Sequence, residues 1–71
     1  MSQNVTVPME GKVIKINVSV GDQVKEEDEV IIMEAMKMEM PVPSPAAGVV
    51  KEIKVAVGDT FAADAVLMVI G

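Results

Sequence analysis

The sequence predicts an all-β domain built as a small sandwich or flattened barrel. Three observations carry that prediction. The 71-residue chain matches itself when displaced by 37 positions, the mark of a repeated supersecondary unit. Each copy holds a run that alternates apolar and polar residues with period two. A Gly-Asp pair closes each run, and prolines mark the breaks between runs, so short strands follow one another at regular turns.

The displacement places Pro8 on Pro45, Gly11 on Gly48, Val13 on Val50, Ile16 on Ile53, Val18 on Val55 and Val20 on Val57. Gly21-Asp22 falls on Gly58-Asp59. Charges are not kept: Lys15 meets Glu52 and Lys25 meets Ala62. What repeats is backbone punctuation and core pattern. The expectation is a single domain over residues 1–71 with repeat halves of about 5–34 and 42–71. Each half is too small to bury its own apolar face, so the two pack about a pseudo-two-fold axis.

Within the first copy, Ile14 to Val20 reads as a strand rich in β-branched residues, and Ile53 to Val57 is its counterpart. Val13 and Ile16 are both matched by apolar partners although they sit three apart, which predicts a bulge near Ile14 and Lys15. Gly21-Asp22 and Gly58-Asp59 are turns. Val30 to Ile32 and Val66 to Ile70 are the return strands. Pro8, Pro41, Pro43 and Pro45 belong at strand starts or on a sheet edge, because proline cannot donate to an interior ladder.

Residues 33–40 depart from this pattern. Met33-Glu34-Ala35-Met36-Lys37-Met38-Glu39-Met40 consists of good helix formers, and Met33, Met36 and Met40 fall at helical spacing. Local propensity therefore predicts a short helix. The repeat predicts a hairpin instead, with its tip near Met36-Lys37 and strands on either side. A lysine at such a tip is held out from the fold.

Composition removes several functions. There is no histidine, cysteine, tryptophan or tyrosine, and Phe61 is the only aromatic residue. Ser2, Ser19 and Ser44 therefore have no imidazole to activate them, and the usual general base near neutral pH is missing. No disulfide is available to staple so small a chain. A net charge of −5 argues against nucleic acid and against an anionic membrane surface. No apolar run is long enough for a spanning helix. Met1-Ser2-Gln3-Asn4 shows no secretory signal, so the expected location is a cytoplasm. Glu26-Glu27-Asp28-Glu29 reads as a solvated loop, since its carboxylates lack metal-ligand spacing.

Glu34-Ala35-Met36-Lys37-Met38 resembles the attachment motif of biotinyl domains, the biotin carboxyl carriers of biotin-dependent carboxylases and decarboxylases. The resemblance extends through Pro8, Gly11, Gly21-Asp22, Ala47-Gly48-Val49-Val50 and Gly58-Asp59, and so covers nearly the whole chain. It implies a flattened β-barrel of two four-stranded antiparallel sheets with the lysine on an exposed hairpin. It also implies that Lys37 receives biotin in amide linkage from a biotin protein ligase. Glu34, Ala35, Met36 and Met38 would serve recognition by that ligase. The partners so implied are a biotin carboxylase that loads the ureido nitrogen and a carboxyltransferase or decarboxylase that unloads it. The domain itself would carry and not catalyse. Lipoyl domains share the fold, but their lysine usually lies between aspartate and alanine.

Three positions depart from the family pattern. Glu10 stands where relatives often carry proline or aspartate, a surface change of little expected effect. Glu27 and Asp64 stand where a glycine is usual, and the loop of the first copy, Lys25 to Glu29, is expected to be reshaped because glutamate tolerates a positive φ poorly. There is also no room between Gly21 and Lys37 for the thumb-like loop of some acetyl-CoA carboxylase carriers. The alternatives are a lipoyl carrier, an unmodified interaction module, and a Cu(I) site made from the thioethers of Met33, Met36, Met38 and Met40.

Overall fold

The computed structural model describes residues 2–71; Met1, which the expected domain and the signal reading include, lies outside the described residues. The described residues form eight strands: β1 (Gln3–Thr6), β2 (Gly11–Ile16), β3 (Gln23–Val24), β4 (Glu29–Ala35), β5 (Met38–Pro43), β6 (Gly48–Ile53), β7 (Thr60–Phe61) and β8 (Val66–Ile70). They make two four-stranded antiparallel sheets, ordered β1-β8-β6-β3 and β5-β4-β2-β7. This is the expected all-β architecture. No helix occurs among the described residues.

The repeat explains the topology. Adding 37 to the bounds of β2 and β3 gives β6 and β7, and β4 starts where β8 starts by the same displacement. Exchanging the two copies turns the order of one sheet into the order of the other. The copies are therefore interleaved: each sheet takes two strands from each, and neither copy supplies a whole sheet by itself.

The core follows the same rule. Val5 and Val42, Val13 and Val50, Val24 and Phe61, Val30 and Leu67, Ile31 and Met68, and Met33 and Ile70 are all buried. Each pair is related by the 37-residue displacement. Ala35 is the one buried apolar residue of this cluster without such a counterpart, because its match would lie past Gly71.

Two irregularities per copy interrupt the period-two pattern. The register shifts between Val13 and Lys15 on β2, and between Val50 and Glu52 on β6, so the expected bulge is present and is duplicated. A second shift lies between Glu29 and Ile31, mirrored by the step from Met68 to Val66 opposite β1. An extra residue there breaks the alternation, which is how Val30 and Ile31, and likewise Leu67 and Met68, are buried in succession.

The Gly-Asp turns tie one copy to the other. Gly21 N–H donates to Val50 O at 2.8 Å, and Val50 N–H returns a bond to Asp22 O at 2.9 Å. In the other copy Gly58 N–H donates to Val13 O and Val13 N–H to Asp59 O, both at 2.8 Å. The glycines sit at φ 96 and φ 94, a conformation that side chains resist. The aspartates cap their own turns: Asp22 Oδ2 accepts from Ser19 N–H at 2.8 Å and Asp59 Oδ2 from Ala56 N–H at 2.9 Å.

The loop of the first copy is not reshaped. Glu27 and Asp64 both have positive φ, 76 and 65. Glu27 N–H donates to Ser44 O at 2.9 Å, and Asp64 N–H donates to Val7 O at 2.8 Å, again 37 residues apart. The expectation of a different loop fails because the backbone bond to the opposite copy holds the turn whatever its side chain. Asp28 adds a cap absent from the second copy, its Oδ2 accepting from Lys25 N–H at 2.8 Å. The acidic run thus supports a turn.

Candidate functional site

Strands β4 and β5 form the hairpin that carries Lys37. Pro41 and Pro43 lie within β5, an edge strand of its sheet, where their missing donors cost nothing. The pairing runs from Ile31–Val42 through Met33–Met40 and Glu34–Glu39 to Ala35–Met38. Only Met36 and Lys37 remain to make the connection. Both have positive φ, 55 and 65, the signature of a two-residue type I′ turn. The helix suggested by local propensity does not form. Burying Val30, Ile31, Met33 and Ala35 on one strand outweighs a few tenths of a kcal/mol per residue of helix preference, on the order of the spread among good helix formers.

Such turns normally take asparagine and glycine. A left-handed conformation costs an ordinary residue roughly 1–2 kcal/mol. Met36 and Lys37 are held there because the ladder below is fixed: Met33 and Ala35 are buried, and Met40 packs against the core. The tip itself is open. Met36 is 92% exposed and Met38 61%, and Lys37 and Glu34 are exposed. Among the described residues, Lys37 Nζ makes no hydrogen bond or ion pair. Its amine is therefore presented to solvent on a short turn whose backbone has little freedom. This fits an amide-forming attachment, which needs a reachable amine and a fixed base.

The five motif residues thus divide by position. Ala35 anchors the root, Met36 and Lys37 make the turn, and Met38 and Glu34 stand exposed beside it. Met33 faces the core while Met36 and Met38 face solvent, so the four thioethers do not converge as a copper site would require.

Beside the hairpin lies a shallow open pocket of about 520 Å³. Its base includes Ala35 and Phe61, and Glu10, Glu34, Met36 and Thr60 stand around it. Of the residues lining this pocket, sequence reasoning placed only Glu34, Ala35 and Met36 at the site. One signal was available for the rest: Phe61, the sole aromatic residue, stands where the other copy has Val24. Gly11 permits the packing beneath. A Cβ there would lie 2.6 Å from Met33 Cε and 2.8 Å from Glu34 O. In the second copy Gly71, 37 residues past Glu34, exchanges two backbone bonds with Val49 at 2.8 and 2.9 Å.

Comparison with known proteins adds the following. A family described as "Biotin-requiring enzyme", the biotin/lipoyl group, matches residues 3–70. The dihydrolipoyllysine-residue acetyltransferase component of the pyruvate dehydrogenase complex of Cupriavidus necator is 47% identical over 58 residues, which are 82% of this chain and 10% of that protein. A biotinylated protein TB7.3 homolog of Mycobacterium leprae is 37% identical over 70 residues, 99% of each chain. Among solved structures, the urea carboxylase of Kluyveromyces lactis matches all of this chain with a TM-score of 0.92 and 35% identity, over 6% of its own length. The chain therefore spans a small part of two of these proteins and nearly the whole of the third.

Proposed function

The chain belongs to the biotin/lipoyl attachment family, whose domains are carriers and not catalysts on their own, and from that membership we propose that Lys37 carries biotin and shuttles a carboxyl group. The observation that carries this reading is the two-residue turn, which exposes Lys37 between two exposed methionines. A biotin protein ligase would join the biotin carboxyl to Lys37 Nζ in an amide, with loss of water and of one positive charge. Met36 and Met38 offer the ligase flexible apolar contacts, and Glu34 a carboxylate beside them.

When bound, biotin supplies a ureido nitrogen that accepts and gives up a carboxyl group. The chain's own part is mechanical. The rigid ladder of β4 and β5 presents the same tip to each partner, and the arm keeps its head at an effective concentration on the order of millimolar. The partners in this reading are a biotin carboxylase and a carboxyltransferase or decarboxylase. Residues 1–71 act as one carrier domain, located with its ligase in the cytoplasm. The likeness to a biotinylated protein along its whole length and to a urea carboxylase supports biotin.

A lipoyl group on Lys37 is the second reading, favoured by the likeness to the acetyltransferase component. Intact mass after co-expression with a biotin protein ligase, and separately with a lipoyl ligase, distinguishes them. Biotin on Lys37 in a peptide spanning Met33 to Met40 supports the proposal. Lipoylation alone, or no addition, overturns it.

A further inference from the structure

We propose that the pocket beside the hairpin is a resting site for the bicyclic urea head of the group on Lys37, occupied when the urea is uncarboxylated and vacated when it is loaded. The inference rests on the biotin reading above.

The position allows it. Met36, the neighbour of Lys37 in the turn, is part of the pocket wall, and so are Glu34 and Ala35. A lysine extended by a pentanoyl chain has ample rotatable bonds to fold back onto residues so near its root. Tethering keeps the head at an effective concentration on the order of millimolar, so a site too weak to retain a free urea is still populated by an attached one.

The chemistry selects the head. Ala35 and Phe61 supply apolar surface, suited to the thioether ring. Glu10 and Glu34 stand beside it, and among the described residues neither carboxylate has an ion-pair or hydrogen-bond partner. A urea edge offers two N–H donors to such acceptors, and N–H bonds to a carboxylate are roughly twice as strong as neutral ones. The Thr60 hydroxyl is available to donate to the urea carbonyl. A dithiolane head has no donor and would leave both carboxylates unmatched.

Loading reverses the balance. Carboxylation by the loading partner would replace one urea N–H by N–CO₂⁻, the proton leaving to a base of that partner and the carboxyl coming from its activated carboxyl donor, with no change of oxidation state. One donor is lost, and a negative charge is brought toward Glu10 and Glu34. Like charges disfavour that position, so the loaded head leaves the pocket and is free to reach the second partner.

The chain has no cysteine, which allows a test independent of any ligase. Lys37→Cys, labelled with ¹⁵N, is alkylated with haloacetyl linkers of one length ending in a biotin head, a dithiolane head, a biotin head bearing a stable carboxylate substituent on the urea nitrogen, or a plain alkyl amide. Relative to the alkyl amide, the biotin head is expected to shift the amide resonances of Gly11, Glu34, Phe61 and Ala62, and the other two heads are not. Glu10→Gln in the same background is expected to reduce the biotin shifts, because a neutral acceptor holds a urea N–H more weakly than a carboxylate does. Absence of shifts with the biotin head, or equal shifts with the dithiolane or carboxylate-bearing head, overturns the proposal. Failure of a ligase to biotinylate the native lysine overturns the function proposed above and leaves this measurement unaffected.

Discussion

Glu27 and Asp64, 37 residues apart, occupy the same left-handed position in the two copies and donate equivalent backbone bonds to Ser44 and Val7. Their side chains differ in how well they tolerate that conformation, since aspartate enters it more readily than glutamate. Equal geometry with unequal cost yields a prediction.

Glu27→Gly removes strain of roughly 1–2 kcal/mol and adds an entropic cost of roughly 0.5–1 kcal/mol. A net gain of about 1 kcal/mol is expected, which raises the melting temperature of a domain this size by about 4–8 °C. Asp64→Gly should gain less. Thermal unfolding of the two variants side by side checks the order; a larger gain at position 64 contradicts it.

Lys37→Arg should keep the fold and lose the attachment. The exposed turn residue makes no contact whose removal would cost more than about 0.5 kcal/mol. A guanidinium stays protonated and cannot form the amide. Expected results are an unchanged unfolding midpoint, no mass gain with ligase, and loss of the acidic shift on isoelectric focusing that one biotin per native chain produces.

Met36→Gly separates stability from recognition. Glycine relieves the positive φ at the first turn position, for a gain of about 1 kcal/mol. It also removes a nearly fully exposed apolar side chain that a ligase would cover. Losing about 1.5 kcal/mol of such burial corresponds to roughly a tenfold slower biotinylation. A variant that is more stable and modified at the native rate would show that Met36 has no part in recognition.

Gly11→Ala and Gly21→Ala should both destabilise, for different reasons. At Gly11 the new methyl meets the Glu34 carbonyl, a backbone atom that cannot swing aside as the Met33 tip can, so a loss of about 1–3 kcal/mol is expected. At Gly21 nothing lies within 4 Å of the added carbon, and the loss is the left-handed penalty of roughly 1–2 kcal/mol. Met33→Ala, itself costly because Met33 is buried, should cost nearly as much in the Gly11→Ala background as in the native chain. A much smaller cost of Met33→Ala in the Gly11→Ala background would mean that the Met33 contact, and not the carbonyl, sets the loss at Gly11.

Much of the fold was legible because the repeat is written in residues that backbone geometry demands. Gly21 and Gly58 need positive φ, and Asp22 and Asp59 cap the turns that end on them, accepting from Ser19 and Ala56. The core pairs are apolar in both copies, and the bulge at Ile14 shows as a broken alternation. The hairpin was legible only against its own composition. Residues 33–40 favour a helix locally, and no glycine or asparagine marks the turn. The pocket was the least visible, since Glu10, just before β2, and Thr60 and Phe61, on β7, are far apart in the chain and meet only when β7 pairs with β2.

The sequence by itself determined the β class, the repeat and its turns, and the motif around Lys37, because each depends on the local conformation of one or a few neighbouring residues. The tertiary structure alone decided that the copies interleave, that Glu27 accepts a glycine's conformation, and that Met36 and Lys37 form a strained turn beside an acidic pocket. These features are settled by burial and by backbone bonds between residues far apart in the chain, and no local preference of a few tenths of a kcal/mol can resist them.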